Sequence, residues 1–261
     1  MRHPFFLICL MTACCGALQA QEAPIEVNPN RPTFASPSLT TQPGLAEVEF
    51  GIQQSYLRDE NTTFITPTLL KLGIVKDFEI RLSSNGYLRY GFPDAPSVSG
   101  SADLALGAQW CFIHDGLLGT DMAVQFTHKF ATANAEKGLG SGEADNTLGF
   151  FISRDFGKNH VDINFFETWL GQEGGGTVRQ PAAALSVSHA FTDVWSMGGE
   201  VYTISGTRVG SRIVSNLWYV GYKVSSRLVL DTGVDIGLNQ GAQKYSLFAG
   251  LTYGVGRFRR P

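Results

Sequence analysis

Apolar and polar residues alternate along most of the chain. Leu70, Leu72 and Ile74 alternate with Lys71 and Gly73; beyond Val75-Lys76-Asp77, Phe78, Ile80 and Leu82 alternate with Glu79, Arg81 and Ser83. A period of two residues predicts strands, and the short link between them predicts a hairpin. The same alternation pairs Ala46, Val48, Phe50 and Ile52 with Glu47, Glu49, Gly51 and Gln53, and Leu104, Leu106, Ala108 and Trp110 with Asp103, Ala105, Gly107 and Gln109. From Leu45 onward no stretch has a convincing helical period. Twelve strands are predicted, near 45–57, 62–74, 78–90, 101–112, 120–131, 145–154, 160–170, 181–190, 195–204, 212–223, 227–237 and 245–257. Pro67 falls inside the second and removes a ladder donor, which predicts a bulge or a locally unpaired spot there.

Link length alternates as well. Links at 75–77, 113–119, 155–159, 191–194 and 225–226 are short; those at 91–100, 131–145, 171–180 and 238–244 are longer and rich in glycine or polar residues. Strands of ten or more residues, even in number, with short and long links in turn, are the pattern of an all-β, antiparallel transmembrane barrel, with both termini on the periplasmic side. A soluble β-sandwich would alternate too, with its polar face in water. The aromatic residues favour the inverted arrangement. Phe78, Phe112, Phe156, Trp195 and Tyr222 lie beside short links; Tyr56, Phe64, Tyr87, Phe130, Trp169, Tyr202 and Tyr245 lie beside long ones. Rings at both strand ends predict the two girdles of a membrane barrel.

Composition sharpens this reading. Charged residues are 16% and aromatics 11% of 261 residues, with 30 glycines and a net charge of −3. That charged share is well under the ~25% of a soluble domain, and the sign gives no reason to expect nucleic acid as a partner. Residues 1–20 read as an export signal: a basic Met1-Arg2-His3, an apolar stretch from Pro4 to Leu18, and cleavage after Ala20. A lipoprotein signal with Cys14 lipidated is the rival reading. The mature chain keeps one cysteine, Cys111, which excludes an internal disulfide. Residues 21–44, rich in Pro, Asn, Thr and Ser, predict an extended, irregular periplasmic lead-in, and 45–258 the barrel.

Arg31-Pro32, Pro43-Gly44, Pro67, Leu69-Leu70, Gly73 and Glu79-Ile80-Arg81, with the later stretches 101–110, 191–202 and 245–255, carry a family likeness. In them the chain resembles the phenol meta-pathway degradation (MetA-type) family of outer-membrane β-barrel transport proteins. The resemblance implies a place in the outer membrane and a transport role, and brings neither catalytic residues nor a fixed substrate.

The charges sharing the polar face are the candidate functional residues. They are Glu47, Glu49, Glu79, Arg81, Asp103, Asp121, Lys129, Glu200, Asp231 and Asp235. Such residues line water-filled lumens and tune selectivity, or else plug a narrow barrel as a salt-bridged polar core. Acids outnumber bases among them, so an open lumen would favour cations or neutral solutes. A lipolytic enzyme is the rival class, with Ser84 as nucleophile. It requires a histidine base beside the serine, and His114, His128, His160 and His189 are scattered instead. No Cys/His spacing suits a metal, and the glycines at 171–176 do not open a helix as a phosphate cradle does. No cofactor is therefore expected. The partners expected are the outer-membrane bilayer, its lipopolysaccharide and a small-molecule solute. The expected function is passive passage of small, aromatic or hydrophobic solutes through a polar lumen gated by the links at 131–145 and 91–100. The alternative is a closed barrel whose outside loops bind a partner.

Overall fold

The structure is a computed structural model and describes residues 24–206 and 211–259. The export signal and Cys14 lie outside the described residues. Fifteen strand segments form one antiparallel sheet: β1 (Leu45–Tyr56), β2 (Thr62–Ile65), β3 (Thr68–Val75), β4 (Phe78–Ser84), β5 (Tyr87–Gly91), β6 (Val98–Ser101), β7 (Leu104–Ile113), β8 (Asp121–Lys129), β9 (Asp145–Phe156), β10 (Asn159–Gly171), β11 (Thr177–Ala190), β12 (Trp195–Ile204), β13 (Ile213–Ser225), β14 (Leu228–Gly237) and β15 (Tyr245–Arg257). β1 pairs with β15 along its whole length, from Leu45↔Arg257 to Tyr56↔Tyr245, so the sheet closes on itself. Closure removes the edges that lipid cannot hydrogen-bond.

Three of the strands are broken in the middle, and the segment pairs β2–β3, β4–β5 and β6–β7 each make one strand. The barrel is therefore twelve-stranded, as the alternation predicts. The breaks fall at Thr66-Pro67, Asn85-Gly86 and Ala102-Asp103 and lie next to one another across the wall. Thr66 N donates to the carbonyls of Asn85 and Tyr87, and Ala102 N donates to that of Gly86. Gly86 adopts φ +61°, and a Cβ there would overlap Thr66, so the second break requires glycine. Pro67 marks the first break. The other two carry no proline, which is why continuous strands were expected over 78–90 and 101–112.

The polarity is inverted. The largest fully buried side chains in the strands include Lys71, Gln109, Glu47, Glu49, Glu79 and Glu200. Trp110, Phe126, Phe165, Leu185, Val201 and Leu247 are exposed on the outer face. The opening hairpin thus turns its apolar residues outward and its charges inward, the reverse of a soluble sheet. Rings gather at both rims: Trp195 packs on Tyr222 with centroids 4.5 Å apart at the turn end, and Tyr56 stacks on Tyr245 at 4.8 Å at the loop end. Tyr202 does not belong to the girdle where its position placed it. It shares the parity of Glu200 on β12, points inward, and donates its hydroxyl to Asp235 at 2.7 Å. Among the described residues no helix is long and apolar enough to cross a membrane; the strands present the apolar surface instead.

Candidate functional site: a lumen partitioned by the N-terminal segment

Residues 24–44 are irregular and extended, and they run inside the barrel. The segment enters at the turn end, where Val27 N donates to Ser226 O at 3.0 Å, and it leaves there too, where Gly44 N donates to Gly73 O at 2.6 Å. Between these points it rises to about mid-height and loops across the lumen. A segment without a ladder must satisfy its amides some other way. Here the inward side chains of the wall accept them. Asn28 N meets the Glu47 carboxylate at 3.2 Å, and Asn30 N and Arg31 N meet the two oxygens of Glu49 at 2.8 and 2.9 Å. Phe34 N and Ala35 N meet Glu200 at 2.8 and 2.6 Å, Ser36 N meets Asn164 Oδ1 at 2.6 Å, Ser38 N meets Ser153 Oγ at 2.7 Å, and Thr41 N meets Glu79 at 2.6 Å. Gln109 Nε2 returns the exchange by donating to the carbonyls of Pro37 and Ser38.

Two cations complete the anchoring. Lys71 is fully buried and sits between Glu47 and Glu49, with Nζ 3.1 and 2.9 Å from their oxygens. Its ammonium also reaches Asn30 Oδ1 at 2.9 Å and the carbonyl of Asn28. Arg31, from the segment itself, forks onto Asp231 through Nε and Nη2 at 3.2 and 3.0 Å. Charged, bidentate contacts of this kind are the strong ones. The guanidinium lies in a slot made by Gly51 and Gly250, which face each other in the β1–β15 register. A Cβ at either glycine would overlap it. Gly73 and Gly254 make room in the same way for Thr41-Gln42 and for Ile25 and Val27. Phe34 adds an apolar contact at the top of the loop, its ring 5.1 Å from Phe166 and 5.0 Å from Tyr202.

Above this floor, toward the loop end, lies a cavity of about 940 Å³. Arg31, Pro32 and Phe34 form its base, and Arg81, Leu69, Ala105, Tyr202, Leu217 and Asp235 are part of its wall. Near its mouth the link between β8 and β9 folds inward. Leu139 is buried against Leu88 and Ala102, with Ile65, Tyr90, Val98 and Ala133 around them. Asp103 Oδ1 accepts the amides of Thr132 and Ala133 at 2.9 and 2.8 Å, and Lys129 Nζ bridges Asp103 and Asp145 at 3.2 and 2.8 Å.

The ten candidate charges therefore separate into groups. Glu47, Glu49, Glu79, Glu200 and Asp231 hold the N-terminal segment. Asp103 and Lys129 hold the folded-in link. Arg81 and Asp235 face the cavity, the latter accepting from Tyr202, Ser215 and Gln243. Asp121 stands apart at the turn end, 3.4 Å from His114 and accepting the amide of Asp115. The excess of acids counted along the strands is offset by segment amides and by Lys71 and Arg31. Those two cations were not among the candidates, nor were Gln109, Asn164 and Ser153. Lys71 was legible as a polar-face residue of the opening hairpin; Arg31 was legible only as part of the Arg31-Pro32 family motif, because it lies outside any strand and alternation assigns it no face. Ser84 has no histidine beside it among the described residues, and its hydroxyl accepts the amide of Gly86 at 2.9 Å. No group of described side chains could hold a metal ion.

The fold has solved counterparts. It superposes on the COG4313 outer membrane channel from Pseudomonas putida F1 with a TM-score of 0.64, at 14% identity, covering 88% of this chain and 100% of that one. The KdgM porin gives a TM-score of 0.57 at 9% identity over 80% of this chain and 99% of the porin, and the NanC porin gives 0.55 at 10% over 80% and 98%. No curated protein matches the chain in sequence. The family model described as "Putative MetA-pathway of phenol degradation" matches residues 30–255. That match begins at Asn30, inside the luminal segment, and runs into the last strand: the chain belongs to this family, as its motifs implied.

Proposed function

We propose that the protein is an outer-membrane channel that lets small, apolar or aromatic solutes diffuse passively through its lumen. The observation that carries this reading is the 940 Å³ cavity inside a closed wall, floored by a segment held through side chains and amides rather than by wall strands. A floor of that kind narrows a path without being part of the barrel that lipid must seal. The channel and porins of similar fold support a transport role over an enzymatic one, as does the family's link to phenol degradation. In this reading the turn end and both termini face the periplasm. The loop end faces outward among lipopolysaccharide, and residues 1–20 direct export. Solute enters at the loop end past Leu139, collects in the cavity, and passes the floor beside Phe34.

Mature protein, refolded and inserted in a planar bilayer, is expected to give small, steady conductance steps. A silent bilayer, from protein whose heat-modifiable migration proves a folded barrel, would contradict passage and favour a closed barrel that works through its loops.

A further inference from the structure

Arg81 is the cavity's unusual cation. It is 7% exposed, yet its guanidinium is only partly engaged. Nη1 donates to Gln109 Oε1 at 2.5 Å and to Gln125 Oε1 at 2.7 Å. Glu79, the nearest carboxylate, reaches Nη1 at 3.5 Å with one oxygen while the other holds Thr41 N at 2.6 Å. Among the described residues no acceptor lies within hydrogen-bond range of Nε or Nη2. Two neutral glutamines thus fix one nitrogen and leave the other edge of the fork turned to the cavity. That edge is the one whose paired donors match a carboxylate.

Toward the loop end the wall beside it includes small and apolar residues among polar ones. Ser83 is two positions along β4 from Arg81 and so on the same face, about 7 Å away. It is flanked in register by Leu69 on β3 and Ala105 on β7. Pro67 and Leu88 continue that surface toward the loop end. The other cavity cations are taken: Arg31 by Asp231, and Lys129 by Asp103 and Asp145.

We infer that Arg81 is the head of a binding subsite for a small organic carboxylate with an apolar body. The carboxylate lies against Nε and Nη2, and the body lies along Leu69 and Ala105 toward Leu88. The inference deepens the channel reading and rests on it for access to the site, but not for binding itself.

Titration calorimetry on the mature protein with benzoate, benzyl alcohol and inorganic phosphate tests it. Benzoate is expected to bind saturably and at least about tenfold more tightly than the uncharged alcohol, a gap that one charged, bidentate contact supplies. Arg81→Gln is expected to bring benzoate to the level of the alcohol. Gln125→Glu sets a competing carboxylate against Nη1 and is expected to weaken benzoate in the same direction, which keeps the test decisive if Arg81→Gln fails to fold. Benzoate binding unchanged in the folded variants, or absent from folded wild type, would overturn the subsite. Phosphate binding as tightly as benzoate would overturn the organic-acid assignment. Binding with no conductance would contradict passage and leave the subsite standing; conductance with no binding would do the reverse.

Discussion

Replacing Lys71 by methionine is expected to destabilise the barrel by about 3–5 kcal/mol, the usual cost of stranding a buried charge. The ammonium is fully buried between Glu47 and Glu49, each within 3.1 Å. Methionine fills a similar volume, so lost packing is a small part of the effect. What remains is two carboxylates close together with amides on one side and no cation. Both were positioned to hold Asn28, Asn30 and Arg31, so the wall and the segment weaken together. The measurement is the urea midpoint for unfolding in lipid vesicles. Adding Glu47→Gln and Glu49→Gln to the methionine variant is expected to recover most of the loss, because the unpaired charge goes with them. A loss under about 1 kcal/mol would show that water reaches these carboxylates, against the buried arrangement described.

The second large effect is expected at Gly250. Leucine there would project into the slot that holds the Arg31 guanidinium, because even a Cβ overlaps it. The backbone can accommodate leucine, since this glycine is not among those with positive φ. The outer face is untouched, so the barrel is expected to insert normally. The displaced arginine leaves Asp231 without its fork, and the N-terminal segment loses its central anchor. Chymotryptic cleavage after Phe34 is expected to rise at least about tenfold, the effect of a local opening made about 1.4 kcal/mol easier. Solute entry into proteoliposomes is expected to rise with it. Cleavage and entry at wild-type rates would show that the slot does not hold the segment.

The barrel was legible because lipid imposes a strict rule. Every strand must present apolar residues outward at period two, and successive links of an up-and-down barrel must turn at opposite rims. Pro67 announced one wall break by chemistry alone, whereas Asn85-Gly86 and Ala102-Asp103 depend on neighbouring strands and did not. The luminal course of residues 24–44 was not legible either. That segment has no period, and its partners lie far off in sequence; Arg31 meets Asp231 across 200 positions. One signal was present and unread. Gly51, Gly73, Gly250 and Gly254 share the inward parity of the buried charges, and a wall that omits side chains there is making room for something. Tyr202 teaches the same point: its place near a strand end suggested a girdle, but its parity with Glu200 put it inside. For the candidate charges, alternation named the residues that share the polar face and could not say what each carboxylate holds.

The most direct measurement is single-channel conductance of the wild-type barrel and of a variant lacking residues 24–41, recorded under the same conditions. Without the segment, Glu47, Glu49, Glu200 and Asp231 face water in the lumen, so the barrel is expected to fold and insert. If the N-terminal segment is the floor of the channel, the shortened barrel gives steps several-fold larger than wild type. Equal conductance from two folded barrels would contradict the account and place the constriction elsewhere in the wall or the loops.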